Sequence, residues 1–324
     1  ALTILIMLLG YGLYELVLVY VLGNMITLLM SIYFQWKYFK LPRLHVDLKV
    51  FSQSLKKGFP FFVPMILNMI NGRFGLLLLS KFGTHSTVAT YGAATNLTDK
   101  LLVVPEGLGA SIFPTMAALA QDSKEQAVEL FQRYSRYIFL LGLPMAVGTT
   151  ALSNEIIHLI YGPEYKDTAI VLAILIWGTF FGFLNSMNGW TLNAMHKEKI
   201  GALIPVVTTP IFLVLCFSLA KTYGVVGVAV AISANAFLTL ILLFILIRIY
   251  VTKRVYPRFF LIRAILVVGL MYFAIKYALN AGVVAAFVAA VLVYVISLPL
   301  LHLIDKSEIT VLREIVENRL RSSK

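Results

Sequence analysis

Residues 282–304 read GVVAAFVAAVLVYVISLPLLHLI, and this run contains no aspartate, glutamate, lysine or arginine. A helix rises about 1.5 Å per residue, so the run is long enough to cross a hydrocarbon core of about 30 Å. Similar runs recur along the whole chain, which is 60% hydrophobic and only 13% charged. Soluble domains are roughly half apolar and a quarter charged. The sequence therefore predicts an integral membrane protein of many spans.

Nine full spans and one partial span are predicted from the apolar runs. The partial span, residues 1–9, covers about half a bilayer before a glycine-rich turn. Because the chain opens inside hydrophobic sequence, we expect it to be the C-terminal part of a longer protein. The runs lack the alternation of barrel strands, which favours an all-α polytopic fold. The full spans are predicted at residues 13–35, 58–80, 87–118, 134–160, 168–194, 200–220, 225–249, 259–278 and 282–304.

Basic residues lie mostly in alternate loops. Of the 27 Lys and Arg, 21 fall on the side that includes the C-terminus, four fall on the other side, and Arg73 and Lys100 fall within spans. Positively charged loops favour the cytoplasm, so we expect a multi-pass protein of the cytoplasmic (inner) membrane with a cytoplasmic C-terminus. This pattern accounts for the net charge of +12 without a nucleic-acid partner. The single cysteine, Cys216, lies in an apolar run and predicts neither a disulfide nor a metal site.

Two segments have amphipathic patterns instead of spanning ones. Residues 46–57 combine an apolar stripe with Lys49, Lys56 and Lys57, which is typical of a helix lying on an anionic cytoplasmic surface. Residues 305–324 begin with a capping pattern followed by an apolar face. We expect a short cytoplasmic helix there.

Ionisable and amide side chains within the spans are the candidate site residues. A charge near the bilayer centre costs several kcal/mol unless it is paired or hydrated, so such groups are functional candidates. The candidates are two cations, Lys100 and Arg73, two acids, Asp99 and Glu106, and the amides Asn68, Asn71, Asn96, Asn185 and Asn188.

One face of the span at 87–118 carries most of the charge. Helical spacing places Asn96, Asp99 and Glu106 together, with Lys100 at the border of that face. The face is expected to meet water or protein. A purely structural alternative stays open, in which either acid pairs with a basic side chain and only holds helices together.

The asparagines also have two interpretations, one as ligand-binding residues and one as structural residues. Asn68 and Asn71 share a face of their span, whereas Arg73 is rotated about 200° from Asn71 and is expected to serve a different surface. Asparagines at helical spacing could bond neighbouring helices instead of a ligand. His196 lies among charged residues and is interpreted as a loop residue.

Three stretches carry a family pattern: YGAATNLTDKLLVVP at 91–105, continuing to Pro114; LIYGPEY at 159–165; and YGVVGVAVA at 223–231. In order and spacing they resemble the second half of the multidrug/oligosaccharidyl-lipid/polysaccharide (MOP) flippase superfamily. Within it, the chain is most similar to the polysaccharide (O-antigen type) flippases. The resemblance covers nearly the whole chain.

The resemblance implies a MATE-like bundle of two six-helix lobes with two additional helices, about fourteen spans in all. On that scheme the chain is truncated at the N-terminus, and each region has a place. Residues 1–35 would end the first lobe, 36–57 would form the cytoplasmic linker, 58–249 the second lobe, 259–304 the added pair and 305–324 the C-terminal helix.

The resemblance also implies a function. Such proteins move a polyprenyl-diphosphate-linked oligosaccharide between leaflets by alternating access, without a cofactor and with a gradient of Na⁺ or H⁺ as the expected drive. Lys100 and Arg73, with the amides, would then bind substrate, because a buried diphosphate needs cationic partners. Asp99 and Glu106 would shape the cavity or couple the ion. The expected partners are the lipid-linked oligosaccharide, membrane lipids and a polysaccharide polymerase.

Three alternatives stay open. A cation-coupled multidrug antiporter and a lipid II flippase belong to the same superfamily. A membrane glycosyltransferase or polymerase would need carboxylates or histidines on sizeable loops. The outer loops here are short and offer only Glu164 and Asp167 near the membrane, which disfavours an enzyme.

Overall fold

The computed structural model describes residues 13–38 and 48–303. Those residues are almost entirely α-helical, with short 3-10 turns at Pro163–Tyr165 and Leu279–Ala281. The all-α prediction is thus confirmed for the described residues. The helices are α1 Leu13–Tyr38, α2 Leu48–Phe82, α3 His85–Leu101, α4 Val103–Asp122, α5 Lys124–Ala151, α6 Ser153–Tyr161, α7 Thr168–Ala194, α8 Glu198–Gly201, α9 Ile204–Tyr250, α10 Phe260–Ala278 and α11 Val283–Leu300.

The chain divides into two compact units, residues 1–57 and 58–324. Helix α1 is the spanning element of the first unit, and the second holds all the cavities considered below. The predicted half-span at 1–9 and the C-terminal helix at 305–324 lie outside the described residues. Helix α2 begins at Leu48. It therefore contains most of the predicted amphipathic segment at 46–57 as well as the predicted span at 58–80. Its place on the membrane surface stays a prediction.

Long apolar helices dominate the described residues. Seven are long and apolar enough to cross a membrane, or eight when α5 and α6 count as one broken span. One of the seven segments, Glu198–Tyr250, contains α9, whose 47 residues would measure about 70 Å, more than twice the hydrocarbon thickness of about 30 Å. Its dihedral angles at Gly224 (φ 58°, ψ −131°) are not helical, and the Leu219 carbonyl lies beside Gly227, so the chain turns back there. The two halves correspond to the predicted spans 200–220 and 225–249.

The span predicted at 134–160 is bent sharply in the structure. Helix α5 ends at Ala151, Leu152 leaves the helical region with φ −112° and ψ 17°, and α6 departs at 75°. The polar residues Ser153, Asn154 and Glu155 open α6 at this bend. A break of this kind at membrane depth is tolerated where protein or water satisfies the freed backbone groups.

Helix α7 is the central element of the second unit. It packs against α3, α4, α5 and α9, and most of its spanning window is buried inside the protein. Two of its buried hydroxyls donate within the helix, from Thr179 to the Leu175 carbonyl and from Thr191 to the Met187 carbonyl. Helix α7 therefore places polar side chains deep in the bundle without leaving these hydroxyls unpaired.

The last two helices, α10 and α11, pack on each other and on α5. Phe139 of α5 is the centre of an aromatic cluster, with ring centroids 5.5 Å from Phe180 and Tyr256 and 5.6 Å from Phe260. Tyr294 of α11 donates a hydrogen bond to the Leu140 carbonyl. Helices α10 and α11 thus extend the hydrophobic core on the side of α5 that they contact.

Candidate functional site

A cavity of about 390 Å³ lies between α2, α3, α7 and α9, and we call it the charged cavity. It contains Arg73 and Asp99 together with amide, hydroxyl and phenol groups. Glycines at 72 and 92 leave open space where a side chain would stand. The polar residues lining it are Asn71, Arg73, Tyr91, Thr95, Thr98, Asp99, Thr179 and Asn235.

Arg73 and Asp99 are the opposite charges of this cavity. They are near enough for the guanidinium to act on the carboxylate, but no ion pair within 4.0 Å joins them among the described residues. Arg73 is exposed and lines the same cavity as Asn71. The prediction that Arg73 serves a different surface is therefore wrong. Gly72 leaves the neighbouring space open, and the long arginine side chain can reach around the helix.

Two amide oxygens at the charged cavity have no hydrogen-bond partner among the described residues. Asn71 donates from Nδ2 to Thr209 Oγ1 at 2.9 Å, which leaves its Oδ1 buried and unpaired. Asn235 Oδ1 is also buried and unpaired. Carbonyl and carboxylate oxygens are the ligands that hard cations prefer. Each of these two oxygens can therefore accept a hydrogen bond or contribute to the binding of a cation.

A second cavity, of about 650 Å³, lies at the end of α7 where the chain passes through α8 into α9. We call it the amide cavity. The part of its lining that the structure describes includes no lysine or arginine. Its polar and aromatic residues are Asn68, Phe113, Asn193, His196, Glu198 and Thr239.

Glu106 links α4 to α7. Its two carboxylate oxygens accept hydrogen bonds from Ser186 Oγ at 2.7 Å and Trp190 Nε1 at 3.2 Å. In the structural alternative a cation would pair with this carboxylate, whereas the partners found are a serine and a tryptophan. Glu106 lines neither cavity.

The remaining candidates are divided between the surface and the interior. Lys100 and Asn96 are exposed and line neither cavity, and Lys100 forms no ion pair with a described residue. Asn185 donates from Nδ2 to the Ala236 carbonyl at 3.0 Å, as an interhelical amide would. Asn188 is buried, and its Oδ1 has no hydrogen-bond partner among residues 13–38 and 48–303. Of the predicted site residues, the structure brings Asn71, Arg73 and Asp99 together.

A family described as "polysaccharide biosynthesis protein" matches residues 1–170 of the chain. The chain belongs to this family. Two curated relatives are each about a quarter identical to this chain in sequence. A Shigella flexneri protein assigned as an O-antigen transporter is 25% identical over 224 residues, which cover 69% of this chain and 53% of the relative. The lipopolysaccharide biosynthesis protein WzxC of Escherichia coli K12 is 24% identical over 219 residues, which cover 65% of this chain and 43% of the relative.

Two solved structures share the fold of this chain. The lipid II flippase MurJ, in an inward closed conformation, matches with a TM-score of 0.66 and 19% identity, over 81% of this chain and 57% of MurJ. A MOP superfamily transporter from Pyrococcus furiosus, described as having a binding pocket of reverse polarity, matches with a TM-score of 0.54 and 15% identity, over 74% of this chain and 61% of that one. The predicted MOP-type helical fold is confirmed. The chain spans about half the length of the curated relatives that it matches.

Sequence reasoning missed several residues that the structure brings to the two cavities. Asn235 lies in an apolar run that was interpreted only as a span. His196 and Glu198 were assigned to a loop, yet both line the amide cavity. The signal that could have found Asn235 is a single amide at the middle of a long apolar helix, because such groups are costly in lipid.

Proposed function

We propose that the protein to which this chain belongs translocates a lipid-linked oligosaccharide across the cytoplasmic membrane for polysaccharide biosynthesis. The observation that carries the proposal is the charged cavity, where Arg73 stands within a membrane-spanning bundle without an ion-pair partner among the described residues. An unpaired cation at this depth is costly, so it favours an anionic ligand. A polyprenyl diphosphate supplies that charge, and the family membership supports this substrate class.

Each charged candidate has a place in this proposal. Arg73 binds a phosphate oxygen through its planar donors, and Lys100 contributes a second cation from the exposed face of α3. Asp99 repels the anion from part of the charged cavity and, with Asn71 and Asn235, holds the coupling Na⁺ or proton. Glu106 acts by fixing α4 to α7.

Alternating access is the proposed mechanism, with substrate entering from the cytoplasm and leaving to the outer leaflet. The charge bias of the loops supports a cytoplasmic C-terminus and an inner-membrane location. On this proposal residues 58–249 form one lobe, 259–304 an additional pair, and 1–35 the end of the other lobe. A polysaccharide polymerase is the proposed recipient of the translocated glycan. Transport is favoured over an enzymatic function because the relatives are transporters and a flippase.

Deletion of the gene and complementation with the complete open reading frame test this proposal. Arg73→Ala should abolish surface glycan while the amount of protein in the membrane stays normal. The matched control is Arg133→Ala, which removes an exposed arginine whose ion pair with Glu129 lies at the surface of α5. A surface pair of this kind contributes about 0–1 kcal/mol, so export should survive. Normal surface glycan with Arg73→Ala would refute the proposed role. If complementation restores efflux of a cationic dye, and deletion of the gene has no effect on surface glycan, the result would instead support an antiporter.

A further inference from the structure

The amide cavity has the chemistry of a site for an uncharged, hydroxyl-rich ligand. Its lining offers amide, hydroxyl, imidazole and carboxylate groups, which include both donors and acceptors of hydrogen bonds. Sugar hydroxyls also donate and accept. A diphosphate would need cationic partners, and no lysine or arginine is among the described residues that line this cavity. Its volume of about 650 Å³ falls within the range of small-molecule sites.

One side chain of this cavity is left without a partner, and the turn that ends α7 brings a second side chain to it. Glu198 lines it, and the Oε2 atom of Glu198 is buried with no hydrogen-bond partner in the described part of the chain. His196 lines it from a left-handed backbone conformation, with φ 56°. Histidine is among the residues that adopt this conformation more readily, and here the conformation ends α7 as a C-terminal cap. Two hydrogen bonds hold this turn, from the Lys197 amide to the Leu192 carbonyl at 2.8 Å and from the His196 amide to the Asn193 carbonyl at 3.1 Å.

The amide cavity and the charged cavity adjoin along the same three helices. On α2, Asn68 lines the first and Asn71 the second, one turn or about 4.5 Å apart along the axis. The second half of α9 repeats this spacing with Thr239 and Ala236. A ligand whose anionic group lies at Arg73 would therefore extend its next units into the amide cavity.

We propose that the amide cavity is a subsite for the uncharged sugar units of the glycan whose diphosphate lies at the charged cavity. Asn68, Asn193 and Glu198 hydrogen-bond the sugar hydroxyls, and Phe113 packs against an apolar face of a sugar ring. This assignment rests on the proposed function, and it adds the site that recognises the glycan.

The test compares two lipids on the full-length protein in lipid nanodiscs. The probes are radiolabelled polyprenyl diphosphate and the same lipid carrying a neutral oligosaccharide of hexose and N-acetylhexosamine. Glu198→Gln preserves shape and removes the charged acceptor. Gly189→Val fills open space in the amide cavity, since no atom lies within 4 Å of the position its Cβ would take. Glu198→Gln should weaken binding of the glycosylated lipid about tenfold, the effect of losing roughly one hydrogen bond. Gly189→Val should weaken it by occupying the space of a sugar unit, and both variants should leave binding of the bare lipid unchanged.

Two further variants serve as references. Arg73→Ala should weaken binding of both lipids. Lys199→Gln, at an exposed residue next to Glu198 that lines neither cavity, should weaken neither. Each variant is checked for a single gel-filtration peak, and if Gly189→Val misfolds, the isosteric Glu198→Gln decides.

The outcomes separate the two proposals. If the wild-type protein binds neither lipid, the proposed function fails, and the sugar subsite fails with it. If the wild type binds both lipids, but Glu198→Gln and Gly189→Val weaken neither or weaken both equally, the sugar subsite alone is overturned. Selective loss of the glycosylated lipid supports it.

Discussion

Trp190 donates a hydrogen bond from its indole nitrogen to Glu106 Oε2 at 3.2 Å, and so joins α7 to α4 within the bundle. The neighbouring Ser186 donates to the other oxygen of the same carboxylate at 2.7 Å. One turn along α4, Gly109 lies against the indole ring, where a Cβ would stand 2.2 Å from Trp190 Cδ1. The carboxylate and the glycine together fix the position of one tryptophan.

Glu106→Leu should lower the stability of the protein. The substitution leaves the hydroxyl of Ser186 and the indole N–H of Trp190 without their acceptor. Both donors are half-buried, so each loss should cost less than the about 1–3 kcal/mol of a fully buried unpaired donor. Glu106→Gln keeps one acceptor oxygen and should cost less. Thermal unfolding in detergent, followed by loss of the monodisperse gel-filtration peak, measures the order wild type, Glu106→Gln, Glu106→Leu.

Glu129→Gln is the control for this series. It removes a carboxylate from α5 whose ion pair with Arg133 is exposed, so its effect should be within about 1 kcal/mol. Equal unfolding temperatures for Glu106→Leu and the wild type would contradict the structural role of Glu106.

Gly109→Val should disrupt the contact between α4 and α7. The added Cβ would overlap the indole ring, which is held in place by its hydrogen bond, so either the ring or the helix must move. Overpacking of this kind costs about 1–3 kcal/mol. Gly107→Val is the matched variant on the same helix, because no atom lies within 4 Å of the position its Cβ would take. Membrane abundance should fall for the first variant and not for the second.

Lys100→Ala should abolish glycan export without lowering the amount of protein in the membrane. Lys100 is exposed and has no ion-pair partner among the described residues, so its removal leaves no carboxylate unpaired. Lys100→Arg should keep part of the activity, because the charge survives while its geometry changes. Surface glycan staining and membrane immunoblotting measure the two effects separately.

A fall in protein abundance with Lys100→Ala would favour the structural alternative, in which Lys100 pairs with an acid to hold helices together. In that case a second change, Asp99→Asn, should restore both abundance and export. Normal export by Lys100→Ala would remove Lys100 from the substrate path.

Single cysteines should report the orientation of the bundle. In a Cys216→Ala background, cysteines at Lys124 and Arg254 should react with a membrane-impermeant maleimide only from the cytoplasmic side. A cysteine at Glu164, on the 3-10 turn after α6, should react only from outside. All three positions are exposed, so access to the reagent is not limiting. External labelling at Arg254 would reverse the predicted topology.

Hydrophobic runs were enough to locate the spans, because the length and composition of a membrane helix depend on the bilayer and not on its neighbours. The turn at Gly224 separates the two halves of α9 close to where the apolar runs were divided. The bend at Leu152 was missed because the run on both sides is apolar. Only the polar residues Ser153 to Glu155 indicate that a new helix begins there.

The cavities were harder to predict, since they depend on which helices meet. Asn71, Arg73 and Asp99 were chosen for their cost in lipid, and they do line one cavity. A helical wheel placed Arg73 on the wrong surface, because it takes no account of side-chain reach or of the space left by Gly72. His196 was discounted for its charged neighbours, and the left-handed backbone conformation that brings it to the amide cavity leaves no pattern in the sequence.

Helices α2, α7 and α9 wall both cavities, and this shared wall has a thermodynamic consequence. If an anion at Arg73 shifts any of these helices, it changes the affinity of the amide cavity by some factor. Linkage requires that a sugar bound there change the affinity for the anion by the same factor. A carrier of this construction can distinguish a finished glycan from a bare lipid carrier by cooperativity between the two cavities.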